Sequence, residues 1–207
     1  MGFSDKAKGS YFTILDGKFS IKVDQGTEGA VTRENKEGNI VHEIYHDSFE
    51  GFLTKIDTKD GSYGKSWIFT FCDDLGKFYN LQLNYSNSFA VAFLKMLPNV
   101  DLTKKMELSP SSKMVDGKKV NSLFVKQGGV NIKHAYTRDN PNGMPDLEQK
   151  TIKGQKVWDD TNRLAFLENM VRETVLPKLN QTENKTTQSP EIDNQDTGEE
   201  IEEELPF

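Results

Sequence analysis

Tyr63, Lys65 and Trp67 occupy alternate positions, so an extended strand sets a phenol, an ammonium and an indole on one face. Unpaired bases stack on flat π surfaces while cations track the phosphates between them, at ~1–3 kcal/mol per stacked base. Lys77 and Tyr79 repeat the combination on the following strand, and Lys133, Tyr136 and Arg138 repeat it later. Lys150, Lys153, Lys156 and Trp158 form a basic run ending in an indole. The same rings also suit a core. Trp67 shares its strand face with Phe69 and Phe71, which a chain poor in aliphatic residues needs as filling, and Tyr79 serves either role. Trp158 is open to stacking or to anchoring a helix. The set as a whole, more than any one member, points to a single-stranded nucleic acid.

One motif points elsewhere. His42-Glu43-Ile44-Tyr45-His46 matches H-E-x-x-H, which on a helix brings two imidazoles onto one zinc with the glutamate as general base. On a strand, four residues span roughly 13 Å, too far for one metal. Val41, Ile44 and Tyr45 favour a strand, although Ile40, Val41, Ile44 and Tyr45 also fit one helix face. No third ligand follows at either usual spacing. A zinc hydrolase through His42 and His46 is a remote alternative, and no cofactor is called for by the pattern.

The elements that must position these residues are mostly strands. Tyr11–Leu15 and Lys18–Val23 flank Asp16-Gly17, a strong hairpin signal. Residues 24–39 read as a mobile loop, and 40–56 alternate loosely with a bulge expected at Gly51. Ser66–Cys72 and Lys77–Tyr85 form the clearest hairpin, around Asp73–Gly76. Residues 86–97 change to helical period, opened by Ser86 or Ser88 and stopped by Pro98. Strands are expected at 104–108, 113–115, 118–126 and 130–136, followed by a surface loop over 137–158. Asp160 caps a helix with a stripe of Leu164, Leu167, Met170, Val171, Thr174 and Val175, which Pro177 ends or bends. Residues 1–180 are therefore one mainly β domain, and 181–207 a disordered tail by composition.

Of 207 residues, 35% are hydrophobic, with 13 Phe, 6 Tyr and 2 Trp. The net charge of −6 is unevenly spread: residues 181–207 hold one Lys against nine acids, net −8, and residues 1–180 hold 25 basic against 23 acidic residues, net +2. A weakly basic body with an acidic tail fits a polyanion binder whose tail competes for its groove. Cys72 is the sole cysteine, which excludes an internal disulfide and favours a reducing, cytoplasmic setting. No apolar run approaches a membrane span and no signal-peptide core is evident, so no membrane association is expected.

The sequence closes on Glu202-Glu203-Glu204-Leu205-Pro206-Phe207. A ring beside a terminal carboxylate, behind an acidic run, has the make-up of a tethered ligand for an apolar pocket with a basic rim. This ending resembles the C-terminal tip of bacterial and phage single-stranded-DNA-binding proteins, and the order of elements is similar to their phage-encoded OB-type members. The resemblance implies an OB-fold-like antiparallel barrel with a short internal helix and a C-terminal helix. It implies a non-catalytic protein that binds single-stranded DNA with little sequence preference in phage DNA replication, recombination and repair, working in the host cytoplasm, with a homo-oligomer compatible. The tip would recruit a polymerase, helicase or nuclease, and would fold back over the groove when DNA is absent. The alternative is a protein-interaction module or recombination mediator that does not bind DNA. If the tail competes with DNA, deleting residues 199–207 tightens single-strand affinity at low salt; unchanged affinity across a salt series rules the competition out.

Overall fold

The computed structural model describes residues 10–186 apart from 36, 63 and 153. Tyr63, Lys153 and the tip Glu202–Phe207 therefore lie outside the described residues. Among the described residues the strands are β1 (Ser10–Leu15), β2 (Lys18–Val23), β3 (Val31–Glu34), β4 (Ile40–His46), β5 (Phe49–Gly61), β6 (Gly64–Cys72), β7 (Phe78–Asn84), β8 (Met106–Val115), β9 (Lys118–Gln127), β10 (Val130–Asn131), β11 (Glu148–Ile152) and β12 (Gln155–Asp159). Helix α1 (Ser88–Met96) lies between β7 and β8, while α2 (Thr161–Met170), a π turn (Val171–Val175) and α3 (Leu176–Thr186) follow β12.

Two-residue turns set three of the hairpins. Asp16-Gly17, Asp116-Gly117 and Gly128-Gly129 all have positive φ at both residues, the geometry that matches strand twist. At Asp73, the carboxylate accepts from the Leu75 and Lys77 amides at 2.9 Å and closes the β6–β7 turn.

The expected antiparallel barrel is not what forms. Ten strands make one mixed sheet in the order β10-β9-β8-β5-β6-β7-β1-β2-β4-β3, with β1 parallel to β7. Among the described residues no ladder closes this sheet. It nevertheless curls: the β1–β2 turn meets β8 at Ser112, and Lys119 reaches Asp16 at 2.6 Å. The 13-residue β5 makes the corner, pairing with β8 through Phe49–Gly51 and with β6 from Phe52 onward. Its irregularity falls between Leu53 and Lys55 rather than at Gly51.

Other boundaries move for local reasons. A short β3 occupies part of the expected loop, and β8 runs unbroken through Pro110, which sits where β8 has β9 as its one neighbour. Asn87 caps α1, accepting from Phe89 at 2.8 Å, in place of either serine. Only Val130–Asn131 is strand within 130–136. The expected loop over 137–158 contains the hairpin β11–β12, which forms a sheet of its own. Asp159, not Asp160, supplies the capping oxygen at α2, accepting from the Thr161 amide at 2.9 Å. The π turn shifts the helical phase, so Thr174 is exposed while Val171, Val175 and Leu179 are buried. The helix continues through Pro177 and past Asn180 to Thr186, into the segment expected to be disordered.

One aromatic-rich core results. Phe12 meets Phe19 edge-on at 5.3 Å, Phe49 meets Phe71 at 5.2 Å, and Phe69 meets Phe93 of α1 at 5.0 Å. A Cβ added at Gly17 would stand 2.4 Å from the Ser112 backbone nitrogen, whereas one at Gly117, with similar φ, meets nothing within 4 Å. Gly17→Ala should therefore lower stability by at least ~1–3 kcal/mol in urea unfolding, and Gly117→Ala by distinctly less. Equal losses would mean that the contact with β8 contributes nothing.

Candidate nucleic-acid interface

Of the four sequence-predicted rings among the described residues, Trp67 and Tyr136 are structural. Trp67 is 2% exposed, donates from Nε1 to the Tyr85 carbonyl at 3.3 Å, and stacks between Phe69 and Tyr85. It is core, because β6 turns this face towards α1. Lys65 on the same strand is equally committed. Its Nζ lies 2.7 Å from the Glu168 carboxylate of α2 and 4.5 Å from the Tyr85 ring centroid. The Tyr85 hydroxyl donates to the same carboxylate. Lys65, then Tyr85, hold the Glu168 carboxyl below its usual range, while burial and then Glu168 push the Tyr85 phenol up. This buried-edge network ties α2 to the sheet and leaves Lys65 no free charge for a phosphate.

Tyr136 is 8% exposed and packs edge-on against Phe166 at 5.3 Å, so it too is core. Tyr79 is half-buried, with its hydroxyl donating to Asp73 at 3.2 Å and Lys77 lying 5.0 Å from its ring centroid. The cavity beside it, about 330 Å³, is walled by Phe12, Phe19 and Phe49 and has Glu50 and Asp73 at its mouth. Carboxylates there disfavour a phosphate backbone.

The later residues fare differently. In the β11–β12 ladder Trp158 pairs with Gln149 and Lys156 with Thr151, so indole and ammonium share one face of the hairpin. Trp158 is 63% exposed and makes no ring contact among the described residues. Lys150 is on the opposite face, in ion pairs with Asp159 and with Glu148 at 4.0 Å, which raise its pKa, Asp159 first. Lys133 and Arg138 are exposed along the segment leading from β10 towards this hairpin.

Further cations gather where the segment after β10 meets α1 and where α2 begins. The Ala135 amide donates to the Lys95 carbonyl at 2.8 Å, seating His134 against the last turn of α1, and Arg163 in the first turn of α2 donates to the Pro145 carbonyl at 3.2 Å. Burial, and then Arg163, hold the Lys95 ammonium below its usual pKa; burial, and then Lys95, do the same to the His134 imidazole. Among the described residues Lys95 has no ion-pair partner. His134 and Lys133 also border a cleft of about 530 Å³ with Phe124, which is half-exposed on β9.

A second surface was missed at the sequence level. On the outer face of β7, β1 and β2, Tyr11 (53% exposed), Lys22, Gln82 and Asn84 surround a shallow cavity of about 370 Å³. Strand parity could have found it, since Phe12 and Ile14 point inward and so turn Tyr11 and Thr13 outward. Below the cavity, Arg33 holds the buried Glu43 through two bonds of 2.7 and 2.8 Å, and the Tyr45 hydroxyl adds a third at 2.8 Å.

The H-E-x-x-H segment is strand β4. His42 and His46 are four strand positions apart, His42 Nδ1 bonds to the Thr32 hydroxyl at 2.8 Å, and Glu43 is consumed by Arg33. Among the described residues no three His, Cys, Asp or Glu side chains are grouped to hold a metal. No described helix is long and apolar enough to cross a membrane.

Compared with protein-family models, curated proteins and solved structures, the chain matches none at a significant level. His134 should titrate below the ordinary histidine value of about 6.5. Lys95→Met should move the midpoint part of the way back, because removing a positive neighbour favours the imidazolium, although burial remains. Histidine NMR across pH checks this; an unmoved midpoint would mean that the two cations do not sense each other.

Proposed function

We propose that this chain binds single-stranded DNA without catalysis, in phage DNA replication, recombination and repair, and recruits partner proteins through its acidic tip. The observation that carries this is Trp158: a 63% exposed indole beside Lys156 on a hairpin that stands apart from the main sheet. An exposed, unpartnered indole forfeits apolar burial and is explained by a ligand that covers it. Lys133, Arg138, Lys95, His134 and Arg163 add positive charge on α1, α2 and the segment between β10 and β11, suited to a phosphate backbone.

The element order supports an OB-like ancestry for the body. Counting from β5, α1 falls between the third and fourth strands, and β8 returns to pair with β5. The tip Glu202–Phe207 supports partner recruitment by its resemblance alone. A protein-interaction role draws support from a separate observation: Met114, Val115, Val120 and Phe124 are exposed on the β8–β9 ribbon. The two roles are compatible, since the ribbon and the β11–β12 hairpin are different elements.

Tryptophan fluorescence titrated with an oligonucleotide of ~30 nucleotides tests the proposal, because stacking platforms need unpaired bases. Trp158 should respond and buried Trp67 should stay silent, so Trp158→Phe removes the signal. Trp158→Ala should weaken binding roughly 5- to 150-fold, the equivalent of one stacked base. A flat titration of the intact chain, or equal binding of the matching duplex, contradicts it.

A further inference from the structure

Resting on the single-strand function above, we infer that the cavity on the outer face of β7, β1 and β2 is a nucleobase subsite. A base stacks on the Tyr11 ring, its polar edge turns to the Gln82 and Asn84 amides, and Lys22 takes a neighbouring phosphate. This makes the chain discriminate between bases, which a stacking arm alone does not.

The register builds the subsite from four adjacent strands. Phe12 pairs with Ile21 and, across the parallel ladder, with Leu81, and all three turn towards the core. Their neighbours Tyr11, Lys22 and Gln82 therefore stand together on the opposite face. Tyr11 makes no aromatic contact among the described residues, so its π face is open. The Thr13 hydroxyl donates to the Gln82 carbonyl at 2.9 Å, fixing β1 against β7 and hence the ring against the amides.

Electrostatics suit the assignment. Burial pushes the Glu43 carboxyl up, but Arg33 and then Tyr45 outweigh it, so the group is an anion already matched by a guanidinium. The one carboxylate under the cavity thus does not repel a nucleic-acid strand, and Lys22 remains the nearest exposed charge.

The Ser20 hydroxyl is buried beside the Glu43 carboxylate and helps to hold it as an anion. Each exposed amide offers both donor and acceptor, the complement of a base edge, and good bidentate pairing discriminates by roughly 5- to 150-fold.

Fluorescence anisotropy with labelled dT, dC and dA homopolymers of ~15 nucleotides, about one site length, tests this. The intact chain should separate the homopolymers by at least several-fold. Gln82→Ala with Asn84→Ala should collapse that preference while retaining binding to the weakest homopolymer. Tyr11→Ala should weaken all three, and Tyr11→Phe, which keeps the ring, should behave like the intact chain. These are exposed positions, and an unchanged melting curve verifies the fold. Equal affinity of the intact chain for all homopolymers, or an unaffected Tyr11→Ala, overturns the subsite while leaving single-strand binding in place. Failure of the intact chain to bind any homopolymer removes both.

Discussion

The stack of Trp67 between Phe69 and Tyr85, with centroids 6.1 and 5.3 Å away, joins the sheet to the helical layer. Tyr85 then passes the connection to α2 through Glu168, which Lys65 also grips. Where α2 lies fixes Phe166, Phe166 fixes Tyr136, and the segment after β10 is held between the helices as a result. The β11–β12 hairpin enters α2 directly, so its base is set by the same contacts. The indole of Trp67 and the ammonium of Lys65 are thus used to hold the sheet and α2 together.

Charge is separated across this frame. The aromatic cavity at one end of the sheet carries Glu50 and Asp73, while the side formed by α1, α2 and the segment between β10 and β11 gathers Lys95, Lys133, His134 and Arg163. Burial depresses both Lys95 and His134, with Arg163 adding to the first and Lys95 to the second. The outer sheet face is different again: uncharged amides and hydroxyls, one open ring, and a carboxylate cancelled by Arg33. The three surfaces suit three chemistries, and only the last two suit a polyanion with bases.

Local chemistry was legible in the sequence and long-range pairing was not. Asp16-Gly17, Asp116-Gly117 and the Asp73 turn announced their hairpins because two residues determine the backbone there. The curl of β5 into two partners, the parallel β1–β7 pairing and the open sheet depend on contacts far apart in sequence, which no window contains. Strand parity correctly grouped Trp67 with Phe69 and Phe71, yet periodicity does not say which face is covered, and α1 covers that one. The ion pair of Lys65 was not legible, because its partner, Glu168, is remote in sequence. The hairpin that carries Lys156 and Trp158 was not legible, because a Gly154 turn in a charged stretch disguised it.

Equilibrium competition between an oligonucleotide and its own duplex, followed across a salt series, bears most directly on the central claim. Single-strand preference should persist at every salt concentration, with log affinity falling linearly at about 0.7 per neutralised phosphate. Equal affinity for the duplex, or no binding of the single strand even at low salt, would contradict it.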